Sequence, residues 1–196
     1  MLEWTEPSFL IAIASILFNP IYWNIVARNE YKNATLTKVF GAYNGCYLLA
    51  ISIFGLGLIR DYLYHVAIQD QETKDIFGLK IVGLVLGVVG NVLVASSMYK
   101  LGVTGTYLGD YFGILMKEKV TGFPYSVTGA PMYDGSTLVF MGTALWYGSV
   151  SGLVLSSIVY VCYQVALRFE DPFTANIYAS STKSKTKSKP KSKKRD

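Results

Sequence analysis

The sequence predicts an all-α integral membrane protein with four to five membrane segments, of which the last two form a helical hairpin. The composition is the first observation, because 52% of the 196 residues are hydrophobic and only 16% are charged, too apolar for an ordinary soluble domain. The second is that the apolar residues are grouped in segments close to the roughly 20 residues that a membrane-spanning helix needs. The third is that the last segment is too long for one straight span.

Residues 9–26 form the first apolar segment, which Pro20 and Asn24 interrupt. Its length is borderline for a span, so a kinked crossing and a re-entrant segment both remain open. Residues 39–59 and 81–99 are clearer spans with recurring glycines, which are typical of membrane helices that pack closely against a neighbour.

Residues 137–167 are the segment that exceeds one span. Its centre, residues 148–152, is rich in glycine and serine and is typical of a turn. We therefore predict a hairpin that enters and leaves on the same side of the membrane, with one long tilted helix as the alternative. The hairpin would place the polar residues that precede it beside those that follow it, namely Tyr133 and Asp134 beside Glu170 and Asp171.

The distribution of Lys and Arg predicts the orientation. With the hairpin, residues 28–38, residues 100–136 and the C-terminal tail share one side and carry most of the basic side chains, whereas residues 60–80 on the other side are richer in acids. Because basic loops face the cytosol, the first side is predicted to be cytosolic. Residues 1–180 form one membrane-embedded domain, and the Lys-rich residues 181–196 are predicted to be a disordered cytosolic tail.

Composition also excludes several classes of function. Eight of the 18 Lys and Arg residues lie between Lys183 and Arg195, so no folded basic patch accompanies the net charge of +5, and no nucleic-acid partner is expected. Cys46 and Cys162 lie inside apolar segments, and His65 is the only histidine, so neither a disulfide framework nor a metal site is predicted.

Residues 101–136 are the most unusual polar region, because they combine many glycines and tyrosines with an acid, Asp110, that is expected to be buried. Such a segment between two membrane segments is typical of a site for a polar small molecule at the membrane surface. Tyr107, Tyr111 and Tyr133 are candidates for an aromatic cage, since a ring attracts a cationic ligand by about 0.5–2 kcal/mol. The alternative is that these tyrosines form an ordinary interfacial belt.

The adjacent carboxylates Glu170 and Asp171 are the second candidate group. They would accept charge-assisted hydrogen bonds from a cationic ligand, although interfacial surface charge is the alternative explanation. With Asp110, Glu170 is also a candidate acceptor for a proton that a reacting amine must lose.

Five motifs together resemble the phosphatidylethanolamine N-methyltransferase family, and most closely its short fungal members. They are FNPIYWNIVAR (18–28), SSMYKLGVTGTYLGDYFGILM (96–116), VTGFPYSV (120–127), PMYDGST (131–137) and FEDPFTANIY (169–178). The resemblance implies S-adenosylmethionine as the methyl donor and a phospholipid in the bilayer as the substrate. The reaction it implies is N-methylation of the monomethyl and dimethyl forms of phosphatidylethanolamine, and of phosphatidylethanolamine itself, towards phosphatidylcholine.

The resemblance also implies site residues. The Gly-x-Gly of the family's donor site falls on Val88, Val89 and Gly90, where valine replaces the first glycine. The acid pair of the same donor site falls on Glu170 and Asp171. We assign Asp110, Tyr111 and Tyr133 to catalysis and the headgroup cage. The implied location is the endoplasmic reticulum membrane, with a mitochondrial membrane as the alternative.

The last four residues, Lys193 to Asp196, resemble a dilysine retrieval address, which agrees with a cytosolic C-terminus. Two alternative functions stay open. An isoprenylcysteine carboxyl methyltransferase shares the PMYDGS stretch, the hairpin and the acid pair, but Gly129-Ala130 stands where that family has Arg-His. A small non-enzymatic membrane scaffold is the second alternative. The sequence leaves the oligomeric state open.

Overall fold

The computed structural model describes residues 2–118 and 120–187, with residues 181–187 described as backbone only. Its helices are α1 (Pro7–Asn33), α2 (Thr35–Phe40), α3 (Ala42–Gln69), α4 (Phe77–Thr106), α5 (Pro131–Trp146) and α6 (Val150–Lys187), with a 3₁₀ turn at Gly109–Phe112. No β-strand occurs in these residues, which confirms the all-α class. Four stretches are long and apolar enough to cross a membrane: Pro7–Asn33, Ala42–Gln69, Phe77–Phe112 and Val150–Ser180.

Helix α1 is a continuous helix of 27 residues with Pro20 in its interior. At 1.5 Å per residue it is about 40 Å long, more than the roughly 30 Å of a hydrocarbon core. The structure therefore favours the membrane-crossing interpretation of the first segment over the re-entrant one.

The predicted hairpin is confirmed, because α5 ends at Trp146 and α6 begins at Val150. The turn lies at residues 147–149, slightly before the predicted centre, and the alternative of one long tilted helix is wrong. Gly148 has a φ of +56°, and a Cβ there would lie 1.8 Å from the Lys74 carbonyl oxygen. Only glycine allows this close approach, which docks the tip of the hairpin on the connection between α3 and α4.

Helices α4 and α5 pack through two pairs of glycines. A Cβ on Gly90 would lie 2.5 Å from the Gly135 carbonyl oxygen, and a Cβ on Gly83 would lie 2.5 Å from the Gly142 oxygen. Both helices thus place glycine at a seven-residue spacing on the contact face, which lets the two backbones approach.

The core lies between α1, α3, α5 and α6, where their apolar faces meet. Its larger buried residues are Phe9, Ile16, Trp23, Tyr64, Ile68, Phe140, Leu155, Val159 and Tyr163. A second cluster, around Cys46, Leu49, Tyr111, Phe112 and Ile177, lies at the end away from the hairpin tip. That end gathers the C-terminal half of α1, the 3₁₀ turn, the start of α5 and the later turns of α6. The helical backbone of α6 continues to Lys187, and the rest of the Lys-rich tail lies outside the described residues.

Candidate functional site

The carboxylate of Glu170 lies at the centre of a hydrogen-bond cluster that joins three helices. The Trp23 indole Nε1 donates to Glu170 Oε1 at 2.6 Å, and the Asn24 Nδ2 donates to the same oxygen at 2.9 Å. The Tyr133 hydroxyl donates to Glu170 Oε2 at 2.7 Å. Helices α1, α5 and α6 each contribute, and Glu170 is only 9% exposed. The expected meeting of Tyr133 and Glu170 across the hairpin is therefore observed.

Aromatic rings form the wall of this cluster. The ring of Trp23 stacks on that of Tyr133 at 6.4 Å between centroids, and the Tyr133 ring contacts that of Tyr163 at 4.6 Å. All three donors to Glu170 are neutral groups. Among the described residues, the ion pairs are Arg60–Asp61 and Lys80–Asp75, and neither involves Glu170. A buried carboxylate without a cationic partner is costly, and such groups are concentrated at functional sites.

Two other acids near the base of the hairpin, Asp171 and Asp134, lie outside the Glu170 cluster. Asp171 is exposed, so only one acid of the predicted pair enters the cluster. Asp134 accepts a hydrogen bond from the Thr128 hydroxyl instead of facing Glu170. The structure therefore separates the two carboxylates of the pair into a buried and a solvent-facing one.

The predicted residues Asp110 and Tyr111 lie in the 3₁₀ turn, against α6. The Thr174 hydroxyl donates to Asp110 Oδ2 at 2.9 Å. The ring of Tyr111 stacks on that of Phe173 at 4.9 Å. These contacts place both residues beside the helical turn that follows Glu170.

Two buried polar atoms in this region have no hydrogen-bond partner among the described residues. They are the Tyr111 hydroxyl and the side-chain oxygen of Asn24, whose nitrogen contacts Glu170. A buried polar group without a partner costs about 1–3 kcal/mol. A polar atom without a partner in the protein can form a hydrogen bond with a ligand. These two atoms therefore make the region beside Glu170 suited to a polar ligand.

Arg28 lies one turn beyond Asn24 on α1. Its guanidinium lies 4.8 Å from the centroid of the Phe173 ring and 6.0 Å from that of Phe169. One nitrogen donates to the Phe169 carbonyl oxygen at 2.9 Å. Sequence reasoning counted Arg28 only as a topological charge.

Sequence reasoning also assigned no role to Trp23 and Asn24, although both lie in one of the recognised motifs. An asparagine inside an apolar segment was the available signal, because a polar side chain in a membrane helix needs a partner.

The predicted donor residues on α4 are not in the Glu170 cluster. Val88 and Val89 are 55% and 46% exposed, and Gly90 packs on Gly135 of α5. An open, mostly apolar groove of about 690 Å³ runs along this face, with Gly87 and Val88 among its lining residues. No residue of the groove hydrogen-bonds to Glu170, so the groove is separate from the cluster. The role of residues 88–90 in donor binding stays a prediction.

The cage residue Tyr107 is half-buried, and its carbonyl oxygen accepts a long contact of 3.5 Å from the thiol of Cys46. Its side chain makes no hydrogen bond or ring contact with the Glu170 cluster among the described residues, so its cage role also stays a prediction. Within the described part of the chain, no group of three or more His, Cys, Asp or Glu residues is arranged to hold a metal ion.

Comparison with known proteins gives consistent matches over most of the chain. The model of the phospholipid methyltransferase family matches residues 79–181. Phosphatidyl-N-methylethanolamine N-methyltransferase of Emericella nidulans is 57% identical over 178 residues, which cover 90% of this chain and 88% of the relative. The protein of the same name from Saccharomyces cerevisiae is 55% identical over 180 residues, with 90% and 87% covered.

A more distant relative is phosphatidylethanolamine N-methyltransferase of Homo sapiens, 45% identical over 177 residues, which cover 88% of this chain and 89% of the relative. No solved structure matches the chain.

Proposed function

The chain belongs to the phospholipid methyltransferase family, and we propose that it methylates the headgroup nitrogen of phosphatidyl-N-methylethanolamine and phosphatidyl-N,N-dimethylethanolamine, giving phosphatidylcholine. Phosphatidylethanolamine is a further candidate substrate, because relatives named for that lipid are 45–51% identical to this chain. The methyl donor is S-adenosylmethionine, which carries a methyl group on a positively charged sulfur.

The observation that carries the proposal is the buried carboxylate of Glu170, which has no cationic partner among the described residues. The donor carries a sulfonium and an ammonium group, and the methylated headgroup is cationic, so a fixed anion suits them. Three neutral donors keep Glu170 in place without neutralising it. The unpartnered Asn24 oxygen would accept a hydrogen bond from a bound methyl donor, and the Tyr111 hydroxyl would donate or accept one. The residues present therefore fit such a ligand.

We assign each side chain one task. Glu170 holds positive charge in a region of low dielectric, where the attraction is stronger than in water. Asp171, on the solvent side, contacts the polar end of the donor, and residues 88–90 complete that site as the family resemblance implies. The rings of Tyr111 and Tyr133 surround the headgroup.

A neutral amine is needed for attack, and each methylation releases one proton, because a methyl group replaces one N–H of the protonated substrate. Asp110 is our candidate acceptor, because its carboxylate lies beside Tyr111 and accepts a hydrogen bond from the Thr174 hydroxyl. The aromatic wall around Glu170 keeps water away from the reacting groups.

We further propose that the protein is located in the endoplasmic reticulum membrane with a cytosolic C-terminus. The basic loops support this orientation. The donor, which is soluble in water, would then reach the site from the cytosol.

Labelled methyl transfer tests the function directly. Purified protein is supplied with phosphatidylethanolamine, its monomethyl form, its dimethyl form and a prenylcysteine substrate, side by side. We expect label in the phospholipids and none in the prenylcysteine. Label only in the prenylcysteine, or in no substrate while the donor still binds, would refute the proposal.

A further inference from the structure

Arg28 is a basic side chain that two aromatic rings, those of Phe169 and Phe173, hold beside the Glu170 cluster. No carboxylate pairs with it in the described part of the chain, and its one hydrogen bond goes to a backbone carbonyl. A guanidinium has five N–H donors, so most of those on Arg28 remain available. The rings of Phe169 and Phe173 restrict its side chain without using these donors.

The depth of Arg28 matches the membrane boundary. Along a straight α1, Arg28 lies about 28 Å from Phe9, close to the roughly 30 Å thickness of a hydrocarbon core. Its neighbours face outward, since Ile25 is 64% exposed and Phe169 is 59% exposed. The guanidinium therefore lies where the lipid-facing surface meets the level of the phosphate groups.

The separation of Arg28 from the acid matches a phospholipid headgroup. Asn24 contacts Glu170 and lies one turn before Arg28, and such positions are about 5–6 Å apart on a helix. In an ethanolamine headgroup, four bonds of roughly 1.5 Å join phosphorus to nitrogen and span about 4–5 Å. The phosphate of one headgroup can thus reach Arg28 while the nitrogen of the same headgroup reaches the Glu170 cluster.

We propose that Arg28 binds the phosphodiester of the lipid substrate and holds its nitrogen at the Glu170 cluster. This rests on the proposed function and adds a subsite to it. A planar guanidinium binds phosphate with two parallel hydrogen bonds, which an ammonium group cannot reproduce. The carboxylate of the methyl donor is the competing anion, and the lipid-facing position of Arg28 favours the phosphodiester.

The test compares two lipids in detergent micelles. One is phosphatidyl-N-methylethanolamine, and the other is a matched lipid in which a neutral ether linker replaces the phosphodiester. The ratio of their kcat/KM values measures the preference for phosphate in the wild type, Arg28→Gln, Arg28→Lys and Lys32→Gln. Lys32 is the matched control, because it is an exposed cation one turn further along the same helix.

We expect the wild type and Lys32→Gln to prefer the phosphodiester by about 10- to 100-fold, the range of a charge-assisted hydrogen bond. Arg28→Gln should lose most of this preference, and Arg28→Lys should lose part of it. The KM for S-adenosylmethionine should stay within about twofold in both variants. Arg28→Lys keeps the positive charge and the aliphatic part of the side chain, so it serves as the test if Arg28→Gln does not fold.

An unchanged preference in the Arg28 variants would overturn the inference and leave the proposed function intact. A higher KM for the donor with the phosphate preference retained would also overturn it and assign Arg28 to the donor carboxylate. Failure of the wild type to methylate either lipid would refute the function itself.

Discussion

Replacing Glu170 by glutamine should remove the negative charge of the site and keep its hydrogen bonds. In the native cluster Oε1 accepts hydrogen bonds from Trp23 and Asn24, and Oε2 accepts one from Tyr133. A glutamine whose amide oxygen occupies the Oε1 position keeps the first two bonds. Its NH₂ group then faces the Tyr133 hydroxyl, which can rotate and accept instead of donating. The cluster stays satisfied although the negative charge is gone.

These contacts determine the expected changes in stability and in the Kd for S-adenosylmethionine. Removing a buried charge that lacks a cationic partner should leave the ligand-free protein as stable as before or more stable. A hydrogen bond to a charged group contributes about 1.5–3 kcal/mol, so the Kd for S-adenosylmethionine should rise by about 10- to 100-fold. Glu170→Ala should behave differently, because it leaves three buried donors unpaired and should destabilise the fold by about 3 kcal/mol or more.

Thermal unfolding in detergent measures both effects, since a ligand that binds the native state raises the Tm. For Glu170→Gln we expect a native Tm without the donor and a reduced increase with it. The comparison variant is Asp171→Asn, which removes the exposed acid that we assign to the polar end of the donor; because water screens this charge, donor affinity should change by less than about fivefold. Normal donor binding by Glu170→Gln would show that the buried acid does not bind the donor, and a change above about fivefold for Asp171→Asn would show that the exposed acid contributes more than a screened charge.

Two further predictions concern packing and the unpaired hydroxyl. Gly90→Ala should destabilise the protein by about 1–3 kcal/mol, because its Cβ would press on the Gly135 carbonyl, whereas Gly87→Ala has no atom within 4 Å of its Cβ and should leave the Tm unchanged. Equal Tm values for the two variants would contradict the packing role. Tyr111→Phe should leave the Tm unchanged or slightly higher, because it removes a buried hydroxyl without a partner, and should lower turnover of the monomethyl lipid. Native turnover in Tyr111→Phe would exclude the hydroxyl from the site.

The hairpin could be predicted from the sequence because it depends on length and turn chemistry, both of which are local. Residues 137–167 are longer than one straight span and carry glycine and serine at their centre, which together favour a turn, and the turn brings Tyr133 to Glu170. The approach of α1 could not be predicted, because the pairing of the first and last spans depends on packing between distant segments. Trp23 and Asn24 were therefore missed as partners of Glu170.

The recurring glycines of the third span, residues 81–99, predict close helix packing, but that pattern alone does not identify the partner helix. Gly83 and Gly90 repeat at seven residues, and so do Gly135 and Gly142 in α5. Matching spacings in two apolar segments indicate one helix packing on the other. The structure assigns Gly90 to that contact, and its predicted contact with the donor remains untested.

The absence of a basic partner for Glu170 among the described residues is what makes the cluster suited to cationic ligands. Pairing with a lysine would stabilise the buried acid and also neutralise it, so the site would no longer attract a sulfonium or a methylated amine. Neutral donors hold the carboxylate and leave its charge in place. Arg28 lies one turn nearer the membrane surface, where its charge can meet a phosphate without reaching the acid. In the proposed arrangement the phosphate stays at Arg28 and the headgroup turns inward, so that its nitrogen lies about one turn of α1 deeper, beside Glu170 of α6.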